Sequence, residues 1–295
     1  MPVQISAGAA LRTALRAERP LQIVGAVNAY AALLACRAGF NALYISGAGV
    51  ANSSFGIPDL GLTTLQDVAT DVRRMAAVVN KPILVDADTG WNDPAFTVTT
   101  LAAAGAAGIH LEDQIDAKRC GHRPGKRLVA TEEMEARLVA AVSAKPDPDF
   151  VIMARTDAHA VDGLSAAITR AQRYVAAGAD MIFAEALTTV DEFKQFTAAV
   201  SVPVLANMTE FGKTPLYSLD QFRDMGVALV LYPLSAFRAM SAAAEHVYHV
   251  IREQGTQQAV VGAMQTRSQL YTVLDYERIE RDTEALNELI KKRQS

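Results

Sequence analysis

Eight short apolar runs recur along the chain, separated by stretches with helical spacing and many small residues. The runs are Leu21 to Val27, Ala42 to Ser46, Pro82 to Asp86, Ile109 to Glu112, Phe150 to Ala154, Met181 to Glu185, Pro203 to Asn207 and Ala228 to Tyr232. Each is short and rich in aliphatic or β-branched residues, as a parallel strand buried on both faces should be. The stretches between them tend to close on glycine, at Gly39, Gly105, Gly178 and Gly226, where a left-handed cap stops a helix. Thr64 caps a helix running to about Val79, with Asp67 in its first turn. Eight such units predict an α/β fold of the (β/α)8 TIM-barrel type. A doubly wound sheet is the alternative, but no glycine-rich phosphate turn follows the first run.

Residues 1–20 read as a helical lead-in. After the eighth run, Ala236 to Gln254 and Ser268 to Lys292 carry helical spacing, with a connector between Gly255 and Gly262. That is more helix than one barrel needs. The expectation is a single barrel domain over residues 1–295, with 240–295 as a C-terminal helical arm.

Composition narrows the classes. Half of the residues are hydrophobic and few are aromatic, which suits a large close-packed core. A net charge of −4 argues against nucleic acid as a partner. Apolar stretches are broken by glycine or charge well short of the ~20 residues a membrane helix needs, and the N-terminus lacks the order of a secretory signal. The two cysteines, Cys36 and Cys120, offer no disulfide framework and point to a reducing cytoplasm.

Barrel enzymes build their sites at the C-terminal ends of the strands. Here those ends are polar: Ser46, Asp86 and Asp88, Glu112 and Asp113, Arg155 and Asp157, Glu185, then Asn207 and Thr209. One acid there is usually a helix cap. Carboxylates after four different strands exceed that need, and like charges brought together require a cation. Asp86 and Asp88 stand two apart in an extended segment and so face one side; Glu112 shares a face with His110. Oxygen donors without a cysteine–histidine cluster suit Mg²⁺, or Mn²⁺, rather than zinc. Asp86 and Asp88 are the expected direct ligands, with Glu112 acting through water. Ser46-Gly47-Ala48-Gly49 reads as a small-residue turn whose N–H groups could grip a carboxylate. Asn207 and Thr209 can donate hydrogen bonds to a second carboxylate, and Arg155 and Arg238 suit bidentate carboxylate binding.

The most distinctive stretch is Lys118-Arg119-Cys120-Gly121-His122-Arg123-Pro124-Gly125-Lys126. Its glycines and proline make it a loop. Cations on both sides of Cys120 favour thiolate and make the thiol a usable acid or base near neutral pH. The plainer reading is a solvated basic turn with an incidental cysteine.

This spelling resembles the signature loop of the isocitrate lyase and phosphoenolpyruvate mutase superfamily, and Arg123-Pro124 after His122 is similar to its methylisocitrate branch. The resemblance runs over nearly the whole chain. It implies a TIM barrel, a Mg²⁺ site at the Asp86-x-Asp88 pair, and retro-aldol cleavage of a small tricarboxylate, 2-methylisocitrate, in propionate catabolism. It implies catalytic roles for Cys120, Lys118 and His122, with Tyr44 and Asp59 near the reacting hydroxyl. Substrate contacts are implied for Ser46, Gly47, Ala48, Cys120, Gly121 and Arg155. Further contacts are implied for Glu185, Asn207, Met208, Thr209, Arg238 and Arg267. Homotetramers with exchanged C-terminal helices are also implied. Two departures stand out: Ala48 replaces the family's second glycine, and the stretch from Asp93 to Gly105 is about one helical turn short. Other readings are a different enzyme on the same scaffold, such as a phosphonate mutase or oxaloacetate hydrolase, and a non-catalytic barrel.

Overall fold

The structure is a computed structural model that describes residues 5–116 and 125–294, residues 286–294 by their backbone alone. The chain forms two compact units, Met1–Phe237 and Arg238–Ser295.

In the first unit, eight parallel strands close on themselves in chain order. They are β1 (Leu21–Gly25), β2 (Ala42–Ile45), β3 (Ile83–Asp86), β4 (Gly108–Glu112), β5 (Val151–Thr156), β6 (Met181–Ala184), β7 (Val204–Asn207) and β8 (Leu229–Tyr232). Closure comes where Leu21 and Ile23 of β1 stand opposite Leu229 and Leu231 of β8. The doubly wound alternative is thereby excluded.

The side-chain period of two sorts each strand between two cores. Outward residues such as Leu43, Ile45, Val85, Ile109, Ile152, Ile182 and Val230 pack with the helices. Inward residues such as Leu21, Ile23, Leu84, Val151, Met153, Met181, Leu205 and Leu229 fill the barrel. This double burial is why the strands read as continuous apolar runs. The lead-in is shorter than its sequence pattern, forming the helix Ala7–Ala17 capped by Ser6. Its Leu11 and Leu15 join the inner core. Arg12 Nη2 reaches Asp180 Oδ1 at 2.8 Å, and Lys145 Nζ reaches the other oxygen of Asp180 at 2.6 Å, which ties this helix across the N-terminal end of the barrel.

The expected glycine stops hold: Gly39, Gly105, Gly178 and Gly226 all have positive φ. Thr64 forms a full capping box with Asp67 on the helix Leu65–Ala76. The stretch after β3 makes the helix Pro94–Ala103, capped by Asp93. Ser46-Gly47-Ala48-Gly49 is not a turn: Ser46 is the N-cap of a helix, Gly47–Ser54. Ala48 stands in its first turn without positive φ, so alanine carries no backbone cost there.

The second unit continues the helix Ser235–Gln254 and adds a 3-10 turn, Gln258–Ala263, and the helices Arg267–Leu274 and Tyr276–Gln294. Ser268 to Lys292 is therefore not one helix. Asp275, with φ 53°, breaks it, and Tyr271 stacks on Tyr276 across the break at 4.3 Å.

Barrel closure predicts an intolerant position. A Cβ on Gly25 would lie 1.7 Å from the Pro233 carbonyl oxygen, and backbone cannot yield as a side-chain tip can. Gly25→Ala should cost at least about 2 kcal/mol, read as a fall in the denaturant midpoint with an unchanged slope.

Candidate active site

Above the apolar filling, the inward positions of the strands turn polar. Ser46, Asp86, Asp88, Glu112, Arg155 and Glu185 are all buried there, and His110 is fully so. The register explains the convergence. Asp86 pairs with His110 and Glu112 with Arg155, while Arg155 pairs with Phe183.

Asp86 is held from several directions. Its Oδ2 accepts the Gly47 N–H at 3.0 Å, and its Oδ1 accepts the Asp88 N–H at 3.2 Å. Its Oδ1 is also 3.6 Å from His110 Nε2. Gly47 N–H lies at a helix N-terminus, where the dipole favours a carboxylate. The nest expected to grip a substrate thus spends at least one N–H on Asp86. Asp88 does not reach its place in an extended segment, because its φ is 47°. The bend still brings the two acids together. A Cβ built on Gly47 would be 3.2 Å from Asp86 Oδ2 and 3.2 Å from Asp88 Oδ1.

Tyr44 and His110 flank β3. The Tyr44 hydroxyl is 2.9 Å from His110 Nε2 and the rings stack at 5.8 Å. Burial, then the charge of Asp86, push the Tyr44 phenol well above its ordinary range, against a smaller opposing pull from Arg155. His110 also meets the edge of Phe183 at 5.2 Å, and the Arg155 guanidinium lies 5.1 Å above the same ring. Phe183 and Leu231, both 1% exposed, form an apolar floor beneath the polar ring.

Arg155 supplies positive charge in this ring. Its Nε is 3.0 Å from Asp157 Oδ2 and 3.5 Å from Glu112 Oε2. Burial opposes the charge, but Asp157, Glu185 and Glu112 outweigh burial and hold the guanidinium charged well above its usual range. Asn207 Nδ2 donates to Glu185 Oε2 at 3.3 Å. Thr209 is half-buried just beyond β7. Met208 turns the other way: its N–H donates to the Leu231 carbonyl and its side chain lies in the outer core, leaving only its carbonyl to offer a ligand.

Asp113 does not join the ring. It points outward, accepting from Thr156 Oγ1 at 2.8 Å, the Tyr174 hydroxyl at 2.9 Å and the Asp157 N–H at 2.9 Å. Burial pushes its carboxyl up, although these bonds pull the other way. Asp157 is likewise a support, bonded to Arg155 and to Lys126. The sequence reading missed His110 as a bridge, although its shared face with Glu112 was a usable signal. The Lys126–Asp157 contact spans 31 positions and left no local signal.

Other candidates fall elsewhere. Lys118, Cys120, Gly121 and His122 lie outside the described residues. Asp59 is half-buried in the segment after the helix Gly47–Ser54. Arg238 and Arg267 belong to the second unit. Cys36 is half-buried, and burial pushes its thiol up despite the nearby charge of Lys81. His159 Nε2 sits 3.0 Å from Glu192 Oε1.

Among the described residues, Asp86, Asp88, Glu112 and Glu185 are buried in the same ring as Arg155, and buried carboxylates brought together favour a cation beside them. Among the described residues no three acidic, histidine or cysteine side chains close on one point as a fully protein-ligated ion requires. The two converging aspartates instead fit a hard divalent ion that keeps several waters.

The model of the family described as phosphoenolpyruvate phosphomutase matches residues 11–252. The chain is 60% identical over 275 residues to a 2-methylisocitrate lyase of Escherichia coli K12, covering 92% of this chain and 93% of that protein. It superposes on a crystal structure of 2,3-dimethylmalate lyase, described as a PEP mutase/isocitrate lyase superfamily member. The TM-score is 0.88 at 33% identity, covering 96% of each chain. A phosphonopyruvate hydrolase solved with oxalate and Mg²⁺ gives a TM-score of 0.83 at 30% identity, covering 95% of this chain and 99% of the other. The family model spans most of the barrel and the relatives match nearly end to end, so the chain belongs to the phosphoenolpyruvate mutase/isocitrate lyase superfamily.

Proposed function

We propose that this protein is a carbon–carbon lyase that cleaves 2-methylisocitrate to pyruvate and succinate with the help of Mg²⁺, for which Mn²⁺ can substitute. The observation that carries the reading is the convergence of Asp86 and Asp88 beside Gly47 in a buried polar ring that also holds Arg155, all three acting on the Tyr44 phenol. The structural neighbours at about 30% identity share the scaffold with other activities, so the scaffold leaves the substrate open. Relatives at 44–60% identity over most of the chain, all named for 2-methylisocitrate, favour that acid.

Asp86 and Asp88 would hold the ion, with Glu112 acting through water. Bound there, it would stabilise negative charge on the substrate's hydroxyl oxygen as the carbon–carbon bond breaks. The chain's own groups do the rest. Arg155, Asn207, Thr209 and Arg238 bind and orient substrate carboxylates. Lys118 and His122 stabilise charge on the succinyl half, and Cys120 delivers a proton to its carbon. Burial and Asp86 keep the Tyr44 phenol protonated. A divalent cation held by Asp86 and Asp88 would offset part of that effect, and the base for the hydroxyl proton is Tyr44 or Asp59, acting through water. Gly47 fixes Asp86 through its N–H, and Ser46 is buried beside it to line the substrate pocket.

Assembly falls to the residues after the barrel. Met240, Tyr248, Ile251, Tyr271 and Ile279 expose large apolar surface in the second unit, which supports a helical arm exchanged within a homotetramer. Among the described residues no helix is long and apolar enough to cross a membrane. We place the enzyme in the cytoplasm.

Asp86→Ala should abolish turnover while leaving the circular dichroism spectrum of the barrel intact; a variant both inactive and unfolded would make Asp86 a structural residue. Removing the metal with a chelator should act in the same way and be reversed by Mg²⁺.

Cys120→Ser should bind Mg²⁺ and pyruvate yet lose roughly 100-fold or more in kcat, the usual scale for a general acid. Cys36→Ser serves as the control with near-normal kinetics. Near-normal turnover by Cys120→Ser would move the proton to another donor.

Pyruvate release should be faster from 2-methylisocitrate than from isocitrate. A methyl in an apolar pocket contributes about 1–3 kcal/mol, so the expected ratio of kcat/KM lies between roughly 10 and 200. Equal values would refute the substrate and leave the lyase chemistry in place.

A further inference from the structure

Lys126 is buried, with its side chain only 2% exposed. Its Nζ lies 2.6 Å from Oδ1 of Asp157, a carboxylate with no exposed side-chain surface. The same Oδ1 accepts from Arg155 Nη2 at 3.3 Å, while Oδ2 accepts from Arg155 Nε at 3.0 Å and from Gln114 Nε2 at 3.4 Å. Asp157 is thus a single carboxylate shared between two cations. It is also locked in place, because its N–H donates to Asp113 Oδ1, and Asp113 is anchored by Thr156 and Tyr174.

Sharing has an electrostatic consequence. Arg155 already faces Glu112 and Glu185. If it alone had to neutralise Asp157 as well, little positive potential would remain for an incoming anion. Lys126 takes up the charge of Asp157, so Asp157 can hold the Arg155 fork by geometry without consuming its charge. Fully buried pairs depend strongly on both members, since removing one strands the other.

We propose that Lys126 is a positioning residue that, through Asp157, keeps the Arg155 guanidinium oriented and electrostatically available to a substrate carboxylate. The proposal rests on the reading of Arg155 as a carboxylate-binding residue. Lys126 acts through Asp157 on binding, not on the chemical step.

The test compares Lys126→Met, Lys126→Arg and the double variant Lys126→Met/Asp157→Asn. It uses steady-state kinetics on 2-methylisocitrate and calorimetric titration with oxalate in the presence of Mg²⁺. Lys126→Met should raise KM about tenfold or more while kcat moves by less than about threefold, the signature of lost uniform binding. Its oxalate affinity should fall by a similar factor. Lys126→Arg should stay within about threefold of the wild type. The double variant should recover most of the loss, because a neutral amide in place of the Asp157 carboxylate no longer draws on the charge of Arg155. A packing role for Lys126 would give no such recovery. Unchanged KM and oxalate affinity in a folded Lys126→Met would overturn the proposal, as would equal losses in the single and double variants.

Should Lys126→Met fail to fold, the double variant decides, since it removes both members of the buried pair and strands neither. Oxalate affinity within about threefold of wild type then supports the proposal, and a loss beyond about tenfold overturns it. Absence of wild-type turnover on 2-methylisocitrate would remove the assigned reaction alone and leave the oxalate titration to decide. A wild type that fails to bind oxalate would overturn the proposal.

Discussion

The structure depends on keeping charge inside a barrel that has little water to screen it. Buried carboxylates on or just beyond the ends of three strands and a buried guanidinium on a fourth occupy one ring. Each such group is tolerable only with oriented partners, and the surrounding architecture supplies them. A helix N-terminus gives Asp86 the Gly47 N–H, His110 links Asp86 to Tyr44, and Asp157 holds Arg155. The apolar floor of Phe183 does two jobs, presenting its face to the guanidinium and its edge to His110. Below it the packing is apolar, and Leu11 and Leu15 from the N-terminal helix fill the far end.

The barrel was legible in the sequence because its signal is local. A strand buried on both sides has no polar side to alternate with, so each reads as a short apolar run bounded by glycine or a strand-end polar residue. The glycine stops at Gly39, Gly105, Gly178 and Gly226 were equally plain, since a left-handed cap is a one-residue requirement. Elements whose form depends on backbone angles were harder. Ser46-Gly47-Ala48-Gly49 has the composition of a turn, yet packing makes it a helix start. Asp275, with no glycine to flag it, breaks what periodicity presents as one helix.

The site was legible in its inventory and less so in its wiring. Asp86, Asp88, Glu112, Arg155 and Glu185 stand where strand ends place them, and their chemistry could be argued one strand at a time. Asp113 shows the limit. One residue beyond Glu112, it takes the opposite face and serves the outer network of Thr156 and Tyr174. Contacts such as Lys126 with Asp157, or Gln114 with Asp157, join residues 31 and 43 positions apart. No window along the chain reports them.

Among the described residues of the first unit, those of positive φ that are not glycine gather at one end of the barrel. Asp88, Trp91 and Asn92 follow β3, Ala186 follows β6, and Phe211 follows β7. A left-handed backbone disfavours side chains branched at Cβ most strongly and glycine least. The mouth therefore has a restricted vocabulary for change. Drift or laboratory selection at these positions will favour glycine, asparagine and aspartate and will discard valine, isoleucine and threonine. Diversity among descendants of this protein should then enter through the rest of the mouth's loops, while the strained corners persist as fixed points about which new pockets are shaped.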